Sequence, residues 1–460
     1  MNVPEIALDK AHVWHPFTPN DLWLDSTFEP IVIASGEGAK LTDTAGRCYL
    51  DGNSSIWTNL HGHRRPEINQ AILDQLGRVA HSSFLGLTNL PAPQLAARLA
   101  TLAGPPLTRA FFSDDGSTAM EAALKIAYQF FQQNGQPRRK TFLSLGSAYH
   151  GDTVGAMSLG HSPLFHHVYR DIVFETKPVM PPACYRCPFN RAAPEKTDAR
   201  TTRQCQWECV GEAEKAFAST GETAAGWVLE PRVQGAAGFF MHPEGYLQKT
   251  TALARQHGAL VILDEVMTGF GRTGPLFAYQ KENIQPDLLA LAKGLSGGYL
   301  PLAATLATET LFQGFGGGPE RTFFHGHSYT GNALGCAAAL ASLDLLESTH
   351  HASHRDARAR TLATLAKDFW ALPQVGDVRQ EGSILAVELV EDFHTRRPFD
   401  PAKRLGARVC QRALHHGLLT RPVGDVLLLM PPYCTTDAEL EQMVHALILS
   451  IRETIQGPCA

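Results

Sequence analysis

The sequence predicts an α/β fold, with a large domain built on a mostly parallel β-sheet and a smaller α+β domain. The middle of the chain alternates short apolar runs with helical patterns, which is typical of βα units around a parallel sheet. After about residue 335 this alternation ends. The chain has 460 residues, 44% of them hydrophobic, so it can bury a substantial hydrophobic core in each domain without disulfide bonds.

Short apolar runs define the strands expected in the large domain. One run ends at Phe111-Phe112, and the turn after it leads into a helix with apolar residues at i, i+3, i+4 spacing from Ala119 to Phe130. Gly135 is expected to end that helix. Four further runs predict strands at residues 141–145, 227–229, 259–263 and 288–291.

The rest of the chain predicts a different arrangement. Helices are expected at 335–347 and 437–455, and strands at 383–389 (exposed on one face), 418–421 and 426–430, the last two around a turn at 422–425. Residues 191–203 are charged and poor in large apolar side chains, so we expect them to be the least ordered. We divide the chain into residues 1–65, which join the small domain and cover the site, a large domain at 66–335, and a small domain at 336–460.

Composition excludes several classes of partner. The formal net charge of −5 argues against binding to nucleic acid or to an anionic membrane. No run of about 18 uncharged apolar residues predicts a transmembrane helix. The first residues lack the basic and apolar regions of a signal peptide, so we expect a cytoplasmic protein.

Polar residues follow all five predicted strands of the large domain. Ligands bind at the carboxyl ends of strands in sheets of this kind, so these residues mark a candidate active site. They are residues 114–117, Tyr149-His150, Glu230, Asp264-Glu265 and Lys293.

Two of these residues have the chemistry to hold a reactive ligand. Desolvation at a strand end lowers the pKa of a lysine, which would make Lys293 a nucleophile; the alternative is a solvated surface lysine. Asp264 follows a buried strand, where a carboxylate is costly unless it meets a cation. A protonated ring nitrogen of a cofactor is such a cation, and a turn or helix-cap aspartate is the alternative.

Two more features suit a phosphorylated, planar ligand. Gly116 and Ser117 open a helix, whose backbone N–H groups and dipole favour phosphate, although Ser117 is equally suited to be an ordinary N-cap. Tyr149 lies just past a strand and can place an aromatic face on a flat ring.

Together these features resemble the class III aminotransferases of fold type I, which use pyridoxal 5′-phosphate (PLP), and the resemblance covers nearly the whole chain. It is carried by DEVMTGFGRTG at 264–274, a lysine 29 positions after Asp264, YHGDT at 149–153 and HGHSYTGN at 325–332. Within the family, the biotin-pathway branch is the most similar. The residues that resemble this branch are WHPFT at 14–18, SSIW at 54–57, TRP at 420–422 and MPPY at 430–433.

The resemblance implies a role for each cofactor-binding position. Lys293 would be the catalytic lysine that binds PLP as a Schiff base, Asp264 would pair with the ring nitrogen, and Tyr149 would stack on the ring and border the substrate. Gly116 and Ser117 would hold the phosphate, together with Ser328 from the other subunit of a homodimer. Many relatives have threonine at the position of Ser328, so the hydroxyl is retained. Glu230 would help to order the site.

The resemblance also implies an acceptor substrate, 8-amino-7-oxononanoate, which would become 7,8-diaminononanoate. Arg421 would bind the carboxylate of this acceptor as a bidentate pair, Trp57 would line its apolar chain, and Arg272 would help to position it. The alternative for both arginines is a surface or interdomain salt bridge. Phe17 would line the donor pocket, where the biotin branch often has tyrosine.

The resemblance implies lysine or S-adenosylmethionine as the amino donor. It favours lysine, because branch members that use lysine share Phe17, TRP at 420–422 and HGHSYTGN at 325–332. The alternative function is another class III ω-aminotransferase, acting on a diamine or a β-amino acid. An aminomutase and a non-catalytic protein of the same fold are further alternatives.

Four of the nine cysteines lie close together in the sequence. Cys184 and Cys187 are separated by two residues, and Cys205 and Cys209 by three. Two such pairs can bind a structural zinc ion. The second spacing is wide for zinc, so free thiols are the favoured interpretation and no metal site is predicted.

Overall fold

The computed structural model describes residues 4–161 and 167–456. The strands are numbered along the chain: β1 (Ile33–Glu37), β2 (Lys40–Asp43), β3 (Cys48–Asp51), β4 (Leu107–Ser113), β5 (Thr141–Leu145), β6 (Lys177–Val179), β7 (Ala224–Leu229), β8 (Val233–Gln234), β9 (Phe240–Met241), β10 (Leu260–Asp264), β11 (Leu288–Leu291), β12 (Ala303–Thr308), β13 (Val375–Glu381), β14 (Ile384–Leu389), β15 (Leu418–Leu419), β16 (Pro422–Val423) and β17 (Val426–Leu429).

The α-helices surround these strands. They are Pro4–His12, Asn20–Leu24, Pro66–Leu76, Pro91–Ala103, Gly116–Gln133, Val154–Ser158, Ala199–Thr202, Glu208–Thr220, Tyr246–Gln256, Glu309–Gln313, Ala333–Glu347, Thr349–Leu365, Leu405–Ala413 and Asp437–Gln456. None of the described helices combines the length and the apolar character that a membrane-spanning segment requires.

Seven strands form the central sheet, in the order β4-β12-β11-β10-β7-β5-β6. Neighbours pair in parallel except at β12, which is antiparallel to both β11 and β4. Strands β7 and β11 are buried along their whole length, which is why they appear in the sequence as uninterrupted apolar runs. The predicted mostly parallel sheet is confirmed, and the strands predicted at 141–145 and 288–291 coincide with β5 and β11.

A second sheet, β13-β14-β17-β16, belongs to the C-terminal part of the chain. The prediction that residues 383–389 form a strand is confirmed, but the prediction that one face of it is exposed is wrong. All six residues of β14 are buried. Leu385 and Val387 pack in a core with residues of helix Asp437–Gln456, whereas Ile384 and Ala386 pack on the opposite side in a cluster that Trp57 contacts.

The N-terminal strands join this C-terminal part. The third sheet has the order β1-β2-β3-β15, and β3 pairs with β15 in parallel, with Leu50 opposite Leu418. The predicted strand at 418–421 is therefore shorter than expected. Pro422 and Val423, predicted as a turn, instead form β16 and pair with β17.

Residues 191–203 were expected to be poorly ordered, and this expectation is wrong. Ala199–Thr202 is a short helix, and Ala192 and Ala199 are buried. Arg200 is bound to Asp198 and, 2.7 Å away, to Glu381 of β13. Arg200, one of the charges that suggested disorder, thus finds a partner on the small sheet, which is far from it along the chain.

Helix Ala333–Glu347 confirms the helix predicted at 335–347. Its residues Cys336, Ala339 and Leu343 belong to the large core that also contains β10 and β11 residues. The helix therefore packs against the large sheet, although the predicted domain boundary placed most of it in the small domain. The three-part division itself stays a proposal.

Candidate active site

Lys293 begins a 3₁₀ turn two residues after β11 ends. Its backbone has a positive φ of 48°, which is unusual for a residue other than glycine. Its Nζ lies 4.9 Å from the centre of the Trp57 ring. Desolvation lowers the pKa of the Lys293 amine, opposed by the charges of Asp264 and Glu230. A lysine in this setting is a stronger nucleophile at neutral pH than a surface lysine.

Asp264 is the last residue of β10, and a buried histidine holds it. Its Oδ2 lies 2.7 Å from Nδ1 of His150, and its Oδ1 accepts a hydrogen bond from the backbone N–H of Val266 at 3.0 Å. Burial lowers the pKa of His150, but the hydrogen bond and charge of Asp264 outweigh it and raise the pKa overall. The carboxylate is thus oriented, and the other ring nitrogen of His150 is buried without a hydrogen-bond partner among the described residues.

Glu230 follows β7 on the same edge of the sheet. Its Oε2 accepts from the backbone N–H of Gly235 at 2.8 Å, and its Oε1 is buried with no partner in the described part of the chain. Burial raises the pKa of Glu230 to about 7, with a smaller lowering effect from His150. The predicted grouping of strand-end residues is therefore a real cluster of interacting charges.

The turn at 114–117 opens an 18-residue helix. Asp115 caps it by accepting from the N–H of Thr118 at 2.9 Å, so the N-cap is Asp115 and Ser117 lies inside the first turn. A Cβ at Gly116 would lie 2.5 Å from Val266, and one at Gly151 would lie 2.2 Å from the Ser117 hydroxyl. These glycines let the backbone approach closely where N–H groups point out of the helix, as an anion-binding turn requires.

Two hydroxyl groups meet at this turn. Ser117 Oγ lies 2.7 Å from Thr153 Oγ1 and accepts from the N–H of Thr153 at 2.9 Å. The phenol of Tyr149 donates to Asp152 at 2.7 Å. Burial and this hydrogen bond raise the pKa of Tyr149, so the phenol stays protonated.

Trp57 forms a wall beside the lysine amine. Its ring meets Phe239 edge-on, with the centroids 5.3 Å apart, and it packs against the apolar cluster that includes Met267 and Met430. Its indole N–H is buried and has no hydrogen-bond partner among the residues described. An aromatic face next to an unsatisfied donor suits a ligand that is part apolar and part polar.

Arg421 and Arg272 have different surroundings. Arg421 is exposed, and it forms no salt bridge within 4–161 and 167–456, so the salt-bridge alternative is not observed there. Arg272 is only 1% exposed and donates to the backbone carbonyls of Pro431 and Asn59 at 2.9 and 3.2 Å. It ties the Trp57 segment to the end of β17, and its predicted contact with substrate stays a proposal.

The two remaining predicted residues lie on exposed segments. Phe17 is 62% exposed with a positive φ of 52°. Ser328 is exposed in the loop at 325–331, where neighbouring His327 comes within 3.5 Å of Asp114 beside the helix-opening turn. The structure of the single chain does not bring Ser328 into contact with Ser117 or Lys293.

Sequence reasoning missed two residues of this site. His150 was noted only as part of the strand-end turn, and Thr153 only as part of a motif. The signal available was their position, one and four residues after Tyr149. Their partners, Asp264 and Ser117, are 114 and 36 positions away, and the sequence alone does not pair them.

The cysteine pairs form no metal centre in the described residues. There, no three His, Cys, Asp or Glu side chains are arranged as ligands of one ion. The thiols of Cys184, Cys187, Cys205 and Cys209 are free. Metal analysis of purified protein remains the test of the zinc alternative.

The remaining features fit PLP. The amine of Lys293 is desolvated, and the charge of the Asp264 carboxylate acts on it. The start of helix Gly116–Gln133 packs closely against Val266 at Gly116 and against Gly151 at Ser117. Buried polar atoms without partners, on Glu230, His150 and Trp57, are available to a polar ligand. An aldehyde, a ring nitrogen and a phosphate on one planar molecule match these groups.

Comparison with known proteins gives the same assignment. The family model for aminotransferase class-III matches residues 24–451. An adenosylmethionine-8-amino-7-oxononanoate aminotransferase from Nitratidesulfovibrio vulgaris is 49% identical over 95% of this chain and 80% of that protein, and one from Geobacter sulfurreducens is 47% identical over 98% and 97%.

Solved structures agree. The crystal structure of adenosylmethionine-8-amino-7-oxononanoate aminotransferase from Methanocaldococcus jannaschii has a TM-score of 0.91 and 37% identity, covering 98% of this chain and 99% of that one. A PLP-bound amine transaminase from an uncultivated Pseudomonas species has a TM-score of 0.88 and 34% identity, covering 96% and 99%. The chain therefore belongs to the class III aminotransferases and is a PLP-dependent transaminase of fold type I.

Proposed function

We propose that this enzyme transfers an amino group to the 7-keto carbon of 8-amino-7-oxononanoate, giving 7,8-diaminononanoate for biotin biosynthesis. The observation that carries the proposal is the position of Trp57, whose ring centre lies 4.9 Å from the Lys293 amine. An acceptor with a long apolar chain would therefore be bound beside the reacting group. The printed names of relatives at 38–49% identity support the same acceptor.

Arg421 would bind the carboxylate at the far end of that chain. Val423, two residues after Arg421, packs against the same apolar cluster as Trp57. A free guanidinium near the apolar wall would pair with a carboxylate in a bidentate way. Arg272 would act on the acceptor from behind this wall, through the Trp57 segment that it holds.

The other residues would hold the cofactor. Lys293 would bind it covalently, Asp264 would pair with its ring nitrogen, and Tyr149 would cover its ring face. Gly116 and Ser117 would bind its phosphate through the helix N-terminus, and Glu230 would order the site through its contact with Gly235. When bound, PLP supplies an electron sink for the substrate carbon that loses or gains a proton.

Proton transfer would be the task of Lys293. Its amine, with a pKa lowered by desolvation, can take a proton from the donor carbon and return one to the acceptor carbon. Asp264 would pair with the ring nitrogen from a fixed position, because His150 and the backbone N–H of Val266 hold its two oxygens. The apolar wall of Trp57 and Phe239 excludes water from the reacting carbon.

We also propose a homodimer in which Ser328 contributes to the partner's phosphate site. The loop carrying Ser328 includes Tyr329, 58% exposed, and adjoins Phe324, 79% exposed; Leu85 is 91% exposed. Several large apolar side chains exposed together support a contact with another protein surface.

The cytoplasm is the proposed location, because all eight described cysteines are free thiols, as is usual in a reducing compartment.

The donor is lysine or S-adenosylmethionine, and two observations support different ones. Phe17 supports lysine, whereas the names of the relatives support adenosylmethionine. The test is one assay with 8-amino-7-oxononanoate as acceptor and each donor in turn. Activity with either donor is expected. Full activity with pyruvate and none with the oxononanoate would instead establish the alternative, an ω-aminotransferase for diamines or β-amino acids.

A further inference from the structure

The segment that carries Trp57 has an unusual backbone. Ser54, Ser55, Ile56 and Trp57 have φ values of 45°, 49°, 65° and 67°, so four consecutive residues other than glycine form a left-handed turn. N–H groups of Trp57 and Thr58 close it by donating to the carbonyls four residues earlier, at 2.9 Å each. L-residues disfavour this conformation, so contacts from outside the turn must hold it.

Asp51 provides those contacts at the start of the turn. Its side chain is fully buried. Its Oδ1 accepts from the N–H of Ser55 at 3.0 Å, and its Oδ2 accepts from the Ser55 hydroxyl at 2.8 Å. The same Oδ2 lies 3.0 Å from Nε2 of His63. The strained residue at the centre of the turn is therefore bound twice to one carboxylate, which is itself held by an imidazole.

Asp51 also lies at the junction of the two acceptor-binding segments. As the last residue of β3, it pairs with Leu419, the last residue of β15. The chain reaches Trp57 six residues after Asp51 and Arg421 two residues after Leu419. Two further anchors from outside the turn, Ser54 on the carbonyl of Met430 and Arg272 on the carbonyl of Asn59, do not touch Ser55. Within the turn, Thr58 donates its hydroxyl to the Ser55 carbonyl at 3.0 Å.

We propose that Asp51 is a positioning residue: through Ser55 it holds the left-handed turn that fixes Trp57 beside the Lys293 amine, and so it determines how tightly a long-chain acceptor binds. This rests on the proposed function, because Trp57 is taken as the wall of the acceptor site. It adds a residue that contacts neither substrate nor cofactor and acts only through the turn.

Ser55→Ala is the sharpest variant, because it removes one hydroxyl from an exposed position and leaves the fold intact. Asp51→Asn is the second variant, since its amide keeps one acceptor and loses the other. Thr395→Ala is the matched control: Thr395 also donates its hydroxyl and its N–H to a nearby carboxylate, Asp392, but in an exposed turn without Trp57.

The first readout needs no substrate. The contribution of Trp57 to the near-ultraviolet circular dichroism is measured as the difference between the spectra of the wild type and of Trp57→Phe. In Ser55→Ala and Asp51→Asn this difference should fall by about half or more, because a mobile indole gives a weak signal. Thr395→Ala should leave it unchanged. An undiminished Trp57 signal in both variants would overturn the proposal, whichever acceptor the enzyme uses.

The second readout is a double-mutant cycle with Trp57→Ala. Ser55→Ala alone should lower kcat/KM for 8-amino-7-oxononanoate about tenfold, mostly through KM, as expected for loss of a hydrogen bond to a charged group. In the Trp57→Ala background it should add less than about twofold. An equal, additive loss in both backgrounds would show that Ser55 does not act through Trp57, which would overturn the proposal. If the oxononanoate is not a substrate at all, the proposed function fails while the dichroism still decides this inference.

Discussion

Two of the buried clusters of charged side chains in the described residues differ in how completely their members are paired. At the strand ends of the central sheet, Lys293, Asp264, His150 and Glu230 influence one another, yet Glu230 Oε1 and His150 Nε2 have no hydrogen-bond partner among the described residues. Between the two sheets, Arg232 meets Glu282 at 2.7 Å and Glu381 at 3.2 Å. Lys281 and Arg200 also bind Glu381.

We interpret this difference as that between a proposed ligand site and a cluster that holds the fold together. Each carboxylate of the second cluster faces cations, so its burial cost is offset within the protein. In the first cluster, burial raises the pKa of Glu230 and lowers that of Lys293. The charges of these side chains are therefore not fully compensated within the protein, and a ligand can pair with them. Buried charge by itself indicates neither role; at the strand ends of the sheet, the unsatisfied buried atoms together with the shifted pKa values support a ligand site.

The largest effect is expected from removing Lys293, the lysine of the first cluster; Lys281, the lysine of the second cluster, provides the comparison. Lys293→Ala should abolish the visible absorbance of the bound cofactor and lower kcat by about 10⁴-fold or more, because we propose this lysine as both the covalent anchor and the proton carrier. Lys281→Ala, in the other cluster, should keep the absorbance band. An unchanged band in Lys293→Ala would contradict the assignment of the cofactor anchor.

Glu381→Gln tests the structural cluster. It leaves Arg200, Arg232 and Lys281 buried or half-buried with one carboxylate fewer, so the free energy of unfolding should fall by about 3–5 kcal/mol. Urea denaturation would measure this, and kcat at 25 °C should stay within about twofold. Glu391→Gln, which breaks a more exposed pair with Arg397, should cost under about 1 kcal/mol. A large loss of kcat with unchanged stability would reverse the comparison.

Glu230→Gln tests the site cluster through pH. The pKa of Glu230 is raised from 4.5 to about 7 in the folded chain, mainly by burial. Folding therefore favours the protonated form, and that contribution to stability is present below pH 4.5 and is lost as pH rises through 7. Between these values the cofactor-free wild type should lose up to about 3 kcal/mol relative to Glu230→Gln. Parallel stability profiles for the two proteins would contradict the raised pKa.

The smallest expected effect is at Arg421, which lies outside both clusters. Arg421→Ala should lower kcat/KM for the oxononanoate about 10- to 100-fold, the effect of losing a charge-assisted pair. An acceptor of the same length without the carboxylate should be used equally by both proteins. If both acceptors lose activity equally, Arg421 is not the carboxylate site.

The sequence predicted the strand-end residues because one physical rule covers them. The carboxyl ends of parallel strands meet at one edge of a sheet, so Glu230, Asp264 and Lys293 had to be neighbours once three strands were recognised. The same reasoning failed for residues 191–203. Their charges resemble a solvated loop, but contacts with residues far along the chain hold them, among them Glu381, 181 positions from Arg200.

Arg272 shows the same limit within a recognised motif. Its position in the GRTG turn suggested a residue facing substrate. In the folded chain it is buried and bound to the carbonyls of Pro431 and Asn59. Those acceptors are backbone atoms far along the chain, and no side-chain pattern in the sequence reports them.

The sequence by itself determined the fold class and the family and proposed the reacting groups, because apolar periodicity and strand-end chemistry are local properties of the chain. Tertiary structure decided what surrounds those groups. It paired His150 with Asp264, buried both faces of β14, and placed Asp51 under the left-handed turn that carries Trp57. Burial and partnership depend on distant segments meeting, and these two properties determine which charges are satisfied and which remain available to a ligand.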